Sequence, residues 1–319
     1  MNLLRTFLAA VHLLVVVALL LCGLNAVVSP VVFPYLNLLS LAFPALLGIH
    51  VALSVLWLLL RRKRAVFFLL ISIFFFKPAQ RWINFTPEKK PGNFKVITYN
   101  GHYNGGENDA VRNYLLRHNA DVVFHQEYRP AENFYPFVKQ ESVVAISSAH
   151  RIVNYQLIDI GDGNSQAMAA DIQINGKVIR FINIYLEPFY INKDLVKSAA
   201  KNEMKAEVLK NRLLSTFRIH GQQVPIIQKF IKNSPYPVIV GGDLNSVPNS
   251  FEYYSLSEGL QDAFTAAGRG SATSFHDFKF PIRIDYLFCS KDILPSTYRV
   301  DRGVRYSDHY PVIATFTLK

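Results

Sequence analysis

Asp243 and Asn245 stand two residues apart at the end of a short β-type run, Val238 to Val240, that stops at Gly241-Gly242. Side chains alternate faces along a strand, so an Asp-x-Asn pair points a carboxylate and an amide the same way. The two glycines before them remove bulk where a ligand would approach. Ser246, Pro248 and Asn249 then turn the chain away. A carboxylate and an amide delivered together suit hard-cation and phosphate chemistry. A strand followed by an Asx-rich turn is the plainer reading of the same residues.

Four further sets of polar groups abut β-type runs. Asn100 ends Phe94 to Asn100, Glu127 ends Asp121 to Glu127, Asp285 lies within Ile284 to Phe288, and Asp308-His309 precede Val312 to Leu318. One such group is ordinary, because turn residues often end strands. Five sets would line a single rim if the strands pack together. Thiolates and multi-His sets are missing from them, so the composition favours Mg²⁺, with Mn²⁺ as the alternative, over Zn²⁺. Phosphoryl transfer needs this kind of equipment: charge neutralisation, a positioned water and aligned donors, without a covalent nucleophile.

The elements that must carry these groups are many strands with few helices between them. Glu107 to His118 has helical spacing, with Val111, Leu115 and Leu116 on one face. Val143–Ile146, Tyr155–Ile160, Ala167–Ile174 and Val178–Leu186 read as strands, with Asn175-Gly176 a hairpin turn. Leu195 to about Lys232 reads as helix interrupted near Gly221. The pattern suits two packed sheets flanked by helices. A parallel βαβ sheet is the rival, and the adjacent hairpin-like strands speak against it.

The 319-residue chain carries a net charge of +11, unevenly placed. Residues 1–85 hold Arg5, Arg61, Arg62, Lys63, Arg64, Lys77 and Arg81 and no acidic residue, leaving 27 of the 34 basic residues against all 23 acidic ones, a net of +4. The basic balance is therefore poor support for nucleic-acid binding. Two cysteines, Cys22 and Cys289, exclude a disulfide framework.

Phe7–Leu24 and Leu38–Leu60 are apolar runs of membrane-spanning length. Ala65–Phe76 is a third, but its twelve residues as helix reach only about 18 Å against a bilayer core of about 30 Å. Residues 1–85 are thus expected to be an anchor of two to three transmembrane helices, 86–93 a polar linker, and 94–319 a separate domain. Arg61-Arg-Lys-Arg64 marks the cytoplasmic side, so a third crossing puts everything beyond it outside the cytoplasm. A re-entrant third segment leaves it inside. Asn84-Phe-Thr86 matches a glycosylation sequon, read as a chance match so near the membrane.

Thr98-Tyr-Asn100, Gln126-Glu127, Gly242-Asp-Leu-Asn245, Arg283-Ile-Asp-Tyr286 and Ser307-Asp-His309, in this order, resemble the motifs of the endonuclease/exonuclease/phosphatase superfamily. The resemblance runs from about Phe94 to the C-terminus. It implies a four-layer α/β sandwich of two mainly antiparallel sheets flanked by helices. It further implies Glu127 as the main Mg²⁺ carboxylate, with Asn100 beside it and Asp308 assisting the metal site. Asp243 would orient or deprotonate the attacking water, and Asn245 would donate to phosphoryl oxygens. His309 would stabilise the charged transition state, oriented by Asp285. Tyr185 departs from the histidine of many members, and a phenol donating to phosphate is a workable substitute.

Arg283 and Arg129 are candidates for phosphate contact. His102, His125 and His150 read as polar fillers, since single histidines are poor metal signals. Lys197, Lys201, Lys205 and Arg212 form a basic helical face, solvated by default.

The expectation is a membrane-embedded Mg²⁺-dependent phosphoester hydrolase (phosphodiesterase, endonuclease or phosphatase) in a plasma or inner membrane, its domain outside the cytoplasm. Its substrate is a phosphate ester, nucleic acid or lipid phosphate, and no protein partner is expected. A hydrolase specific for a lipid phosphate or lipid-linked pyrophosphate is the alternative, and a catalytically weak membrane scaffold the third reading.

Overall fold

The computed structural model describes residues 2–87, 89–102, 108–131, 133–161, 163–277 and 282–318. Three helices open the chain: α1 (Asn2–Cys22), α2 (Tyr35–Leu59) and α3 (Arg64–Gln80), with a 3₁₀ turn at Gly23–Ala26. The α1–turn segment and α2 are long and apolar enough to cross a membrane. Helix α3 is 17 residues, longer than the apolar run it contains, because Lys77-Pro78-Ala79-Gln80 stays helical. It reaches about 26 Å, much of the deficit expected from the sequence.

The bundle interior is packed by Val16, Leu19, Phe43, Trp57, Phe68 and Phe75. A hydrogen-bonded chain runs through it: Trp57 Nε1 to His12 Nδ1 (3.1 Å), His12 Nε2 to His50 Nδ1 (2.8 Å), and His50 Nε2 to Ser72 Oγ (2.9 Å). Ser72 Oγ ends it on Phe68 O at 3.0 Å. An indole only donates, which makes His12 Nδ1 an acceptor and fixes the direction of every later bond. All three helices are tied with both imidazoles neutral. Outward the bundle exposes Leu14, Val51, Val55, Leu70 and Phe74.

The rest follows as β1 (Ile83–Phe85), β2 (Phe94–Asn100), α4 (Asn108–Arg117), β3 (Val122–Gln126), β4 (Phe137–Glu141), β5 (Val144–Ser148), β6 (Ile152–Ile158), β7 (Gln166–Ile174), β8 (Lys177–Tyr185), α5 (Lys193–Ala199) and α6 (Glu203–Lys232). Then come β9 (Val238–Asp243), α7 (Phe251–Leu256), β10 (Gln261–Asp262), α8 (Ala263–Ala267), β11 (Arg269–Ser271), β12 (Asp285–Cys289), β13 (Ile293–Val300) and β14 (Val312–Leu318). The expected first residue of α4, Glu107, lies outside the described residues. The break expected near Gly221 falls instead at residues 200–202, and α6 runs unbroken through Gly221 and Pro225.

Two six-stranded sheets, ordered β10-β12-β9-β8-β7-β6 and β13-β14-β2-β3-β5-β4, face each other. The pairs β2–β3 and β8–β9 are parallel and the others in these sheets antiparallel, so the expected mainly antiparallel sandwich is what forms. Phe124, Ile146, Met168, Phe181, Leu287 and Phe316 are among the residues filling the space between the sheets. Ile182, Ile184 and Val240 on one outer face pack with Val224, Ile227 and Ile231 of α6. Ile97 and Val123 on the other pack with Val111 and Leu115 of α4. That completes four layers.

The linker expected at 86–93 is tied to the sandwich at two of its described residues. Thr86 N donates to Gly268 O (3.2 Å) and Gly92 N to Thr315 Oγ1 (2.9 Å). The sequon asparagine, Asn84, is buried and donates to the Phe264, Thr265 and Gly268 carbonyls, which withholds it from modification.

Candidate active site

Register builds the site before any side chain is considered. In one sheet Tyr185 lies beside Asp243, and Asp243 beside Asp285. In the other, Asn100 lies beside Gln126, one residue short of Glu127. The two rows meet across the sandwich. Asn100 Nδ2 donates to Glu127 Oε1 and Asp243 Oδ2, both at 3.0 Å, and Tyr185 OH donates to Glu127 Oε1 at 2.7 Å. Asn100 Oδ1 accepts from His102 N at 2.9 Å, which turns the amide nitrogen, not its oxygen, toward the carboxylates.

Glu127 and Asn245 both have φ of 47°, a left-handed conformation unusual for residues bearing a Cβ. Backbone bonds hold them there: Glu127 N donates to Val143 O (2.9 Å) and Asn245 N to Asp243 Oδ1 (2.8 Å). Strain of this kind gathers where side-chain aim matters more than backbone comfort. Asn245 Nδ2 donates to Leu186 O at 2.9 Å, leaving its second amide hydrogen for another acceptor.

The glycines before Asp243 do not serve as clearance for a ligand. A Cβ on Gly242, whose φ is +125°, would lie 2.0 Å from Ile184 O, and one on Gly241 would lie 2.4 Å from Tyr286 O. They make room for the flanking strands.

His309 is held between two carboxylates. Its Nδ1 bonds Asp285 Oδ2 at 2.9 Å, so Nε2 faces Asp243 Oδ2 at 3.7 Å, and Phe275 closes one side edge-on. Burial by itself would drive off its second proton, but Asp285 and Asp243 outweigh that and raise its pKa above the ordinary imidazole range. Burial likewise raises the Asp243 carboxyl, against the pull of His309. Burial, then Glu127 and Asp243, raise the Tyr185 phenol, which stays a donor.

Two sets of groups invite a cation. Asp243, Asp285 and His309 offer ligand atoms within 4.8 Å of one another. Within that set His309 Nδ1 is already bonded to Asp285 Oδ2 at 2.9 Å, so this pair of groups is engaged with each other. Glu127 and Asp308 are the second set. Glu127 Oε2 and Asp308 Oδ1 lie 3.8 and 3.6 Å from His102 Nδ1, on the more exposed edge of the rim. Two carboxylates with an adjacent amide fit a hard cation such as Mg²⁺. Asn100 would need to turn its oxygen inward to join them.

The eight residues given metal or catalytic roles by the resemblance (Asn100, Glu127, Tyr185, Asp243, Asn245, Asp285, Asp308 and His309) stand at or beside this rim. Two others were missed. His102 (φ 49°) lies between Glu127 and Asp308, although it reads as a filler. Asn183 accepts from Gln126 Nε2 at 2.5 Å and donates to His125 O and Ala145 O, pinning β3 at its catalytic end. A lone amide inside Phe181-Ile-Asn-Ile was its signal. Arg283 corrects an expectation: it is buried, paired through two nitrogens with Asp262 at 2.8 and 2.6 Å, and stacked over Phe264 and Tyr286. It has no face left for phosphate. Arg129 lines an open groove with Lys139 and Tyr155.

A two-sheet sandwich with carboxylate, amide and imidazole groups converging at strand ends is an arrangement suited to phosphoester hydrolysis. The sequence model described as the endonuclease/exonuclease/phosphatase family matches residues 97–309, and the chain belongs to that family. A second, described as a domain of unknown function, matches residues 5–82. The search of curated proteins returned no match.

Similar solved structures include an endonuclease/exonuclease/phosphatase from Bacteroides vulgatus, 16% identical, covering 71% of this chain and 99% of that one, with a TM-score of 0.54. TDP2 of D. rerio complexed with a single-strand DNA product is 16% identical and covers 70% of this chain and 98% of that one (TM-score 0.52). A mannosyl-6-phosphatase of Bacteroides thetaiotaomicron, 16% identical, covers 70% and 99% (TM-score 0.50). At these identities the likeness is one of fold.

Proposed function

We propose that this is a membrane-anchored, Mg²⁺-dependent phosphoester hydrolase whose site lies outside the cytoplasm. The observation that carries the reading is the pair of bonds from Asn100 Nδ2 to Glu127 and Asp243, which joins the cation-binding and water-activating ends of one rim. Glu127 and Asp308 would hold Mg²⁺, which when bound neutralises charge on the phosphoryl oxygens, while the Asn100 amide nitrogen keeps Glu127 and Asp243 in place beside it. Asp243, its carboxyl raised by burial, takes the proton of an attacking water. Asn245 offers its free amide hydrogen to a phosphoryl oxygen. The His309 imidazolium, held by Asp285, faces the charge that develops there. Tyr185 keeps Glu127 in place.

The membrane reading rests on α1 and α2 and on the apolar outward faces of the bundle. Arg64 Nη1 bonds Arg5 O, which supports one basic end for the bundle. The opposite end meets the sandwich through Asn25 and Arg81. By the positive-inside rule the sandwich is then outside. A lipid phosphate or lipid-linked pyrophosphate as substrate is favoured by this attachment, because it keeps the site beside the bilayer.

The test is turnover by the full chain in detergent or nanodiscs. Bis-p-nitrophenyl phosphate, DNA, RNA and phospholipid are offered with Mg²⁺ and with EDTA. Hydrolysis of an ester that needs Mg²⁺ and is lost in Asp243→Asn is expected. Equal turnover in EDTA, or none on any ester, overturns the proposal. Cleavage of DNA removes the lipid-only version.

A further inference from the structure

The three N-terminal helices grip the loop that carries the catalytic residues. Asn249, four residues beyond Asn245, is fully buried with φ of 69°. Its carbonyl accepts from Asn25 Nδ2 (3.1 Å) and from Ser40 Oγ of α2 (2.7 Å). Its Oδ1 accepts from Arg81 Nη1 (2.7 Å), just after α3. Asn25 Nδ2 also donates to Ser40 Oγ at 2.8 Å, so the two donors to Asn249 are tied to each other.

A second grip lies alongside. Asn37 of α2 accepts from Phe251 N through Oδ1 (3.0 Å) and donates through Nδ2 to both oxygens of Glu252 (3.0 Å each). Glu252 Oε1 is bonded to His220 Nδ1 at 2.9 Å, and His220 Nε2 reaches Glu187 O at 2.8 Å. A carbonyl only accepts, which puts a proton on Nε2. Ser246 Oγ lies 3.4 Å from His220 Nδ1. The relay therefore ends on Ser246, next to Asn245, and on Glu187, two residues from Tyr185. Asn37, His220 and Glu252 are buried almost completely. Beside His220, Gly221 lets the α1–α2 connection approach so closely that a Cβ would lie 2.8 Å from Val31 Cγ2.

An anchor needs only length and apolarity. This bundle instead places polar side chains, in a buried interface, on residues 246–252, and without them Glu252 and the Asn249 carbonyl lose partners they cannot replace while buried. We infer that the helical bundle is part of the catalytic apparatus, with Asn37, His220, Glu252 and Asn249 as positioning residues that fix the 243–250 loop. The inference rests on the hydrolase reading for its kinetic consequence, not for the coupling itself.

The experiment uses the full chain in nanodiscs, with Asn37→Ala as the variant and Leu70→Ala, on the exposed outward face of α3 and away from this interface, as the control. Bis-p-nitrophenyl phosphate turnover and hydrogen exchange over residues 243–253 are measured on each. In Asn37→Ala, kcat falls about 10- to 100-fold with KM within about twofold, because the reacting groups are misaimed rather than lost. Exchange over the loop rises about tenfold as the loop opens locally. The control matches wild type in both. If Asn37→Ala does not fold, Asn249→Gly, which keeps the backbone carbonyl and tolerates the positive φ, takes its place.

Unchanged exchange and kcat in the folded variant overturn the inference. Raised exchange with unchanged kcat reduces the contact to packing and overturns it too. A wild type inert on every ester, with exchange still raised in the variant, removes the hydrolase reading and leaves the coupling standing.

Discussion

Tyr185 OH donates to Glu127 Oε1 across 2.7 Å, tying the end of β8 in one sheet to the residue after β3 in the other. Asn100 Nδ2 donates to the same oxygen. One oxygen of Glu127 is thereby spent on holding the side chain, while Oε2 stays turned toward His102 and the more exposed edge of the rim.

Removal of that phenol should loosen the carboxylate without deleting it. For Tyr185→Phe we expect the Mg²⁺ concentration for half-maximal turnover to rise about 10- to 100-fold, the usual cost of losing a partner behind a metal ligand. A Mg²⁺ titration of activity measures it. An unshifted titration would separate Tyr185 from the cation site.

Among the described residues Asp285 is the hydrogen-bond partner of His309 Nδ1, and its own Oδ1 is buried without one. Asp285→Asn replaces the charged acceptor of His309 Nδ1 with a neutral amide that can also donate to Nδ1, so neither the charge nor the tautomer of the ring is enforced. A kcat loss of about 100- to 10,000-fold is expected, comparable to His309→Ala, in a protein that remains folded. Because the two act as a unit, the double variant should be little worse than either single one. Additive losses in steady-state kinetics would contradict this.

Arg283 and Asp262 form a buried ion pair, not a phosphate contact. Asp262→Ala leaves a buried guanidinium unpaired and should cost about 3–5 kcal/mol of stability. The protein that remains folded should keep its KM. Thermal unfolding and kinetics read the two effects separately, and a raised KM with unchanged stability would restore the phosphate-contact reading.

In the proposed membrane reading, the side on which the sandwich lies turns on whether α3 crosses. The proposed third crossing rests on a helical length of about 26 Å and on ends that meet Arg5 on one side and the sandwich on the other. A reporter fused at the C-terminus should signal only outside the cytoplasm. A cytoplasmic signal would rule out three crossings.

The sequence made much of this legible because the relevant physics is local. Alternating apolar runs marked most strands of the two sheets, and the short β10 and β11 were missed because two or three residues carry no period. The strand β13 was missed for another reason, an internal Pro295 with a bulge after it. Gly221 looked like a helix break, whereas it is a contact point: α6 carries it because another backbone must come close.

Residue type and position at strand ends thus made the oxygen-rich rim legible, and the hydropathy of the N-terminal third the apolar helices. Which groups meet was decided only by the tertiary structure. Asn100 and Asp243 are 143 residues apart, and Asn37 and Glu252 are 215 apart. No local periodicity encodes such distances; the sheet register and the packing of the bundle set them. The same holds for the meaning of Asp243-Leu-Asn245. Its carboxylate and amide were visible at once, but its glycines serve the neighbouring strands, and its loop is held by helices at the other end of the chain.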